Sequence, residues 1–160
     1  MVLAVGVTLA SAIDIRTRRI PNLLTALMSA AGIALAATGT SGISVGWAAL
    51  GLAVGLLVMM PGYVLGATGA GDVKLMAAIG AIVGPGLVVN AFLFTALTGG
   101  VLALGVAALR GRLAATVQGT RELVTAPAVA RETIVAPARG NRFAYGPAIA
   151  IGSMLAVIFR

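Results

Sequence analysis

Two aspartates, Asp14 and Asp72, are the side chains of this sequence best placed to do chemistry. The chain has four acidic residues in all, the other two being Glu122 and Glu132, and it has no cysteine and no histidine. These absences exclude disulfides, a cysteine nucleophile, a Ser-His-Asp triad and the usual zinc sites. Catalysis is left to Asp, Glu, Lys, Ser, Thr and Tyr.

Asp14 ends the first apolar stretch and is followed by three arginines and by Pro21-Asn22, a favourable helix start. An ionisable residue at the end of an apolar stretch is costly and is often functional. An interfacial aspartate paired with Arg18, four residues later, is the alternative interpretation. The arginines by themselves are explained as a topology signal, so this segment alone leaves both interpretations open.

Asp72 follows a glycine-rich segment that contains Gly66, Gly69 and Gly71. Glycine lets the backbone adopt positive φ or approach a partner closely. A phosphate-binding loop would need lysine where Asp72 stands, and the dinucleotide-binding pattern does not fit either. Asp72 as the N-cap of the next helix is the alternative interpretation, but a cap does not explain the density of glycine.

Two carboxylates that lie close together support aspartic peptidase chemistry. Like charges at short range oppose double ionisation, so such a pair shares one proton. The ionised carboxylate acts as general base on a water molecule, and the protonated one polarises the scissile carbonyl. No metal or cofactor is required. The chemistry does require Asp14 and Asp72 to be neighbours in space, which the sequence does not specify.

Apolar helices must position these aspartates. The chain is 60% hydrophobic and 9% charged, with a mean hydropathy of +1.10, whereas soluble domains have about 25% charged residues. Lipid is therefore the main solvent, and helices or closed barrels satisfy the backbone there. The apolar stretches are continuous rather than alternating, which favours helices. We predict an all-α, polytopic membrane protein with a single domain over residues 1–160.

Six apolar stretches predict about six transmembrane helices. They cover residues 2–13, 23–38, 43–65, 73–83, the segment after Gly84-Pro85-Gly86 up to 109, and 143–159. The first is short for a span, which needs about 20 apolar residues; it is tilted, continues past Asp14 or begins upstream. Glycines four residues apart predict close helix packing. These pairs are Gly42 and Gly46, Gly51 and Gly55, and Gly80 and Gly84.

The basic residues predict the orientation of these spans. With the N-terminus outside, the connections at 14–21, 62–72 and 110–142 share one side, which holds nearly all the arginines and is therefore cytoplasmic. Both aspartates fall at that face, although they were not used to count the spans. The net charge of +7 is thus explained by the membrane, and no nucleic acid partner is expected.

The connection at 110–142 is basic and contains a weak tandem repeat. Arg121-Glu122-Leu-Val-Thr-Ala-Pro127 is echoed by Arg131-Glu132-Thr-Ile-Val-Ala-Pro137. Binding to an anionic leaflet and a solvated loop with a chance duplication explain this segment equally well.

Together, the two aspartate segments resemble the signatures of the type IV prepilin peptidases, which are GxGD-type membrane aspartic peptidases. The matching segments are Asp14-Ile-Arg-Thr-Arg-Arg-Ile-Pro21-Asn22 and Gly69-Ala-Gly71-Asp72-Val-Lys74, and residues 143–152 resemble the closing span. The resemblance covers most of the chain apart from 110–142. It implies that Asp14 and Asp72 are catalytic, with no metal and no cofactor.

The resemblance also implies a substrate and a location. The substrate is a type IV prepilin or pseudopilin with a basic leader and an apolar helix, cleaved at the cytoplasmic face of a bacterial or archaeal inner membrane. Such peptidases serve pilus assembly and protein secretion. Larger members carry a cysteine-containing methyltransferase insert; without cysteines or room before Asp14, we expect a short peptidase-only form, as in Flp/tight-adherence systems. The oligomeric state is left open.

Supporting positions are assigned around the pair. They are Gly69, Gly71, Lys74, Pro21, Asn22, Tyr145, Gly146 and Pro147. Lys74 either tunes the carboxylates or anchors a helix start at the interface, and Asn22 either orients the site or caps a helix. Residues 145–147 start the last span and border the substrate groove, although an interfacial tyrosine is ordinary.

Two other functions compete with the peptidase. Intramembrane carboxylates and glycine-broken helices also suit a small proton-coupled transporter, but both aspartates lie at one interface and no inverted repeat is visible. A non-catalytic scaffold for pilus or secretion assembly would explain the glycine spacings but not the two aspartate segments. Replacing each aspartate by asparagine separates these functions, since a scaffold tolerates the change.

Overall fold

The computed structural model describes residues 1–109 and 145–159, and this part of the chain is helical, without strands. The helices are α1 (Val2–Thr17), α2 (Asn22–Ala37), α3 (Val45–Val64), α4 (Ala70–Val83), α5 (Pro85–Leu109) and α6 (Gly146–Ile158). Each coincides with one apolar stretch, so the all-α prediction is confirmed for the described residues. The connection at 110–142, with its repeat, lies outside them.

Two of the helices are long and apolar enough to cross a membrane, judged by length and composition. They are α3, with 20 residues and a mean hydropathy of 1.8, and the 22-residue part Pro85–Val106 of α5, with 2.0. Both expose large apolar side chains, such as Leu57, Leu97 and Val101, a surface that suits lipid better than water. Six spans with the N-terminus outside stay a prediction.

The first helix continues past the apolar stretch that predicted it. Asp14 therefore lies inside α1, near its C-terminal end. The C-cap of the helix is Arg18, which has a left-handed φ of 52° and donates its N–H to the carbonyl of Asp14. Of the three explanations for the short first stretch, the one that the structure shows is that the helix continues past Asp14. The side chain of this residue consequently points from a regular helix rather than from a loop.

Helix α4, which carries Asp72, lies at the centre of the bundle. It packs against all five other helices, and Leu75, Met76 and Ile79 are completely buried. A helix that is apolar on every side belongs in such a position. Because its neighbours hold α4 from several directions, the start of the helix is a well-defined place for a functional side chain.

Glycine allows α3 to approach α4 closely. The Cβ positions of Gly51 and Gly55 face the backbone of α4, at Gly80 and at Met76, so the predicted close packing is confirmed at these glycines. The prediction of close packing is wrong for Gly42 and Gly46. Gly42 lies in the turn before α3 with a φ of 72°, and a Cβ at Gly46 would meet nothing nearer than 4.0 Å. In the third pair, Gly80 faces the backbone of Gly51 and Gly84 faces the ring of Trp47, both in α3. The spacing is the same in all three pairs, but the pair at Gly42 and Gly46 does not face a neighbouring helix.

Candidate active site

Asp14 is buried where the end of α1 meets the start of α6. Its side chain is 5% exposed, and its Oδ2 atom accepts the backbone N–H of Gly146 at 2.8 Å, across 132 residues of sequence. The N-terminus of a helix favours negative charge. A Cβ atom at Gly146 would lie 2.8 Å from the same oxygen, so glycine is needed for this approach.

Asp72 is buried in the first turn of α4. It is 8% exposed, and its Oδ2 accepts the N–H of Gly69 at 2.9 Å, while its own N–H donates to the carbonyl of Gly69 at 3.1 Å. The N-cap of α4 is Gly69, so the interpretation of Asp72 as the N-cap is wrong. The helix begins at Ala70 rather than at residue 73, because the carboxylate reaches back to satisfy a free N–H.

The segment that follows Asp14 docks against the segment that precedes Lys74. Ile20 packs on Gly71, whose Cβ position lies 3.1 Å from the Cβ of Ile20. Beside this contact, the Nζ of Lys74 donates to the Oδ1 of Asn22 at 2.9 Å. Lys74 thus bonds to an amide at the start of α2 and ties the beginnings of α2 and α4 together.

Pro21 and Asn22 begin α2, as predicted. Pro21 is the N-cap, with φ −62° and ψ 132°, an extended conformation that proline adopts without strain. Pro147 lies in the first turn of α6, where no helical hydrogen bond is lost by the missing N–H. The two prolines therefore set the directions in which α2 and α6 leave the site.

Tyr145 and Gly146 lie at the start of α6, next to Asp14. Tyr145 is half-buried, and its ring lies against Gly99 of α5, while the N–H of Gly146 binds Asp14. The dipeptide therefore contacts α5 through one residue and α1 through the other.

Comparison with known proteins agrees with this arrangement. The sequence profile of the type IV leader peptidase family matches residues 1–104, which is more than half of the chain and includes Asp14 and Asp72. The chain belongs to the type IV leader peptidase family. No curated protein and no solved structure matches the sequence.

Membership of this family makes the chain a peptidase of a membrane-associated group that acts on prepilin-type substrates. Within residues 1–109 and 145–159, no group of three or more His, Cys, Asp or Glu side chains could hold a metal ion. The polar groups that this leader peptidase buries at this end of the bundle are two carboxylates and the backbone N–H groups that bind them. This set suits proton transfer and the stabilisation of a polarised carbonyl.

One residue of the site was missed by sequence reasoning. Gly99 in α5 lies against the ring of Tyr145, and a Cβ atom there would lie 2.7 Å from the phenol oxygen. The sequence shows only a Gly99-Gly100 pair within an apolar helix. Nothing in that pair indicates which glycine faces α6, so no local signal was available to find it.

Proposed function

We propose that this leader peptidase is a membrane aspartic endopeptidase in which Asp14 and Asp72 form the catalytic pair. The observation that carries the proposal is the burial of both carboxylates at the same end of the helix bundle, where Gly71, next to Asp72, contacts Ile20 of the segment that follows Asp14. Burial of an acidic residue is rare and costly. Here both aspartates of the chain are buried.

In the proposed reaction the pair holds one proton between its members. The ionised aspartate removes a proton from water, and the resulting hydroxide attacks the carbonyl carbon of the scissile peptide bond. The protonated aspartate donates to the carbonyl oxygen, so that negative charge does not accumulate there. When the carbon–nitrogen bond breaks, the leaving nitrogen takes the proton that the first aspartate had accepted. The second aspartate recovers its proton from a hydroxyl of the tetrahedral intermediate as the new carboxyl group forms, so each carboxylate returns to its starting state after one turnover.

The proposed substrate is a type IV prepilin or pseudopilin whose basic leader is removed at the cytoplasmic face of the membrane. The site lies where α1 ends and where α2, α4 and α6 begin, so it is at one end of the bundle. Arg16, Arg18 and Arg19 follow Asp14 at that end. Arginines near the ends of membrane helices favour the cytoplasmic side, which supports a six-span arrangement with the N-terminus outside.

The test is the processing of a co-expressed prepilin, followed by mass spectrometry of its N-terminus. Asp14→Asn and Asp72→Asn are compared with the native chain at equal membrane levels, and Glu122→Gln is the control that also removes one negative charge. We expect leader-free product with the native chain and the control, and none with either aspartate variant. Processing that survives one aspartate substitution removes that residue from catalysis. The product mass also shows whether a methyl group is added.

A further inference from the structure

The ring of Tyr145, the residue just before α6, packs against a single glycine of α5, a contact that we call the seat. A Cβ atom at Gly99 would lie 2.7 Å from the phenol oxygen of Tyr145 and 2.9 Å from its Cε2 and Cζ atoms. These distances are far shorter than an ordinary van der Waals contact of about 3.5–4.0 Å between carbon atoms. The Cβ position of the adjacent Gly100 has nothing within 4 Å. The absence of a side chain at Gly99 therefore creates the space that the ring occupies.

The residue that carries this ring, Tyr145, immediately precedes Gly146, which forms the hydrogen bond to Asp14. The peptide group between Tyr145 and Gly146 carries the N–H that donates to Asp14 Oδ2 at 2.8 Å. One turn into α6, the Thr98 hydroxyl lies 3.3 Å from the carbonyl oxygen of Ala148, so α5 and α6 are also in contact beside the seat. Because Tyr145 and Gly146 share this peptide group, a change that displaces the ring is expected to disturb the N–H that binds Asp14.

We propose that Tyr145 is a positioning residue of the peptidase, which, seated on Gly99, holds the N–H of Gly146 on the carboxylate of Asp14. This inference rests on the proposed function, and it adds a residue that acts through another one rather than on the substrate. The seat on α5 therefore helps to keep the carboxylate of Asp14 oriented.

The decisive comparison is between Gly99→Ala and Gly100→Ala, two identical changes at adjacent positions of one helix. Purified enzyme is assayed on a synthetic prepilin peptide, and kcat and KM are measured separately. We expect Gly99→Ala to lower kcat by about 10- to 100-fold with little change in KM, because small misplacements of catalytic groups have effects of this size. Gly100→Ala is expected to keep the native kcat and KM.

A second set of variants tests whether the ring carries the effect, including the case in which Gly99→Ala does not accumulate. Tyr145→Phe keeps the ring and is expected to retain most activity, whereas Tyr145→Ala is expected to lose as much as Gly99→Ala. The double variant Gly99→Ala/Tyr145→Ala is expected to be no slower than Tyr145→Ala alone, since the collision is gone.

The inference is overturned if Gly99→Ala matches Gly100→Ala in kcat, or if Tyr145→Ala is as active as Tyr145→Phe. Failure of the proposed function has a different signature. In that case the native enzyme does not cleave the peptide, or Asp14→Asn and Asp72→Asn remain active, whatever happens at Gly99.

Discussion

Replacing Gly51 by alanine is expected to push α3 away from α4, the helix that carries Asp72. The new Cβ would collide with the carbonyl oxygen of Gly80 and lie 2.9 Å from the carbonyl carbons of Gly80 and Gly84. These are backbone atoms of a buried helix, so no side chain can turn aside, and the helices must separate by about 0.5–1 Å to restore normal contact. Overpacking of this kind costs about 1–3 kcal/mol.

Gly46→Ala is the matched control, because it lies in the same helix and its Cβ would meet nothing nearer than 4.0 Å. Alanine is favoured over glycine in a helix by about 1 kcal/mol, and this gain is common to both variants. Their difference in unfolding free energy therefore isolates the collision, and Gly51→Ala is expected to be the less stable by about 1–3 kcal/mol.

The assay is thermal or denaturant unfolding in detergent, followed by circular dichroism, together with prepilin processing. We expect Gly51→Ala to lower both stability and processing and Gly46→Ala to lower neither. If Gly51→Ala is as stable as Gly46→Ala, the helices do not approach each other as described, and the argument that α3 holds α4 in place is refuted.

Two further predictions concern the site itself. Asp72→Ala and Asp72→Asn should both abolish processing, but the alanine variant should be less stable by about 1 kcal/mol in unfolding experiments, because asparagine still accepts the N–H at the start of α4. Equal stability would contradict the capping role. For Lys74 and Asn22, a double-mutant cycle with Lys74→Met and Asn22→Ala should give a coupling of about 1 kcal/mol in unfolding free energy, and strict additivity would show that their hydrogen bond contributes nothing.

Much of the architecture could be predicted because lipid leaves a chain few choices. Continuous apolar stretches in so apolar a sequence must form helices to satisfy their backbone, and each predicted stretch overlaps one of the helices α1 to α6. The residues at which the helices begin and end were less predictable. α1 runs beyond Asp14 and α4 begins at Ala70, because hydrogen bonds at helix ends, rather than hydropathy, decide where a helix stops.

The candidate pair was also visible in the sequence. Four acidic residues and no cysteine or histidine leave few combinations for catalysis, and the segments around Asp14 and Asp72 resemble those of the family whose profile then matched the chain. The chemical type of the residues and their local motifs were enough for this step, because motifs are contiguous in sequence.

Only the tertiary structure decided which groups surround these aspartates. The bond from Gly146 to Asp14 joins residues 132 positions apart, and Gly99, not Gly100, receives the ring of Tyr145. In the same way, Gly51 faces a helix and Gly46 does not. Each outcome depends on how far one helix is rotated and shifted against the next, and the apolar faces of these helices are too similar in sequence to specify that rotation.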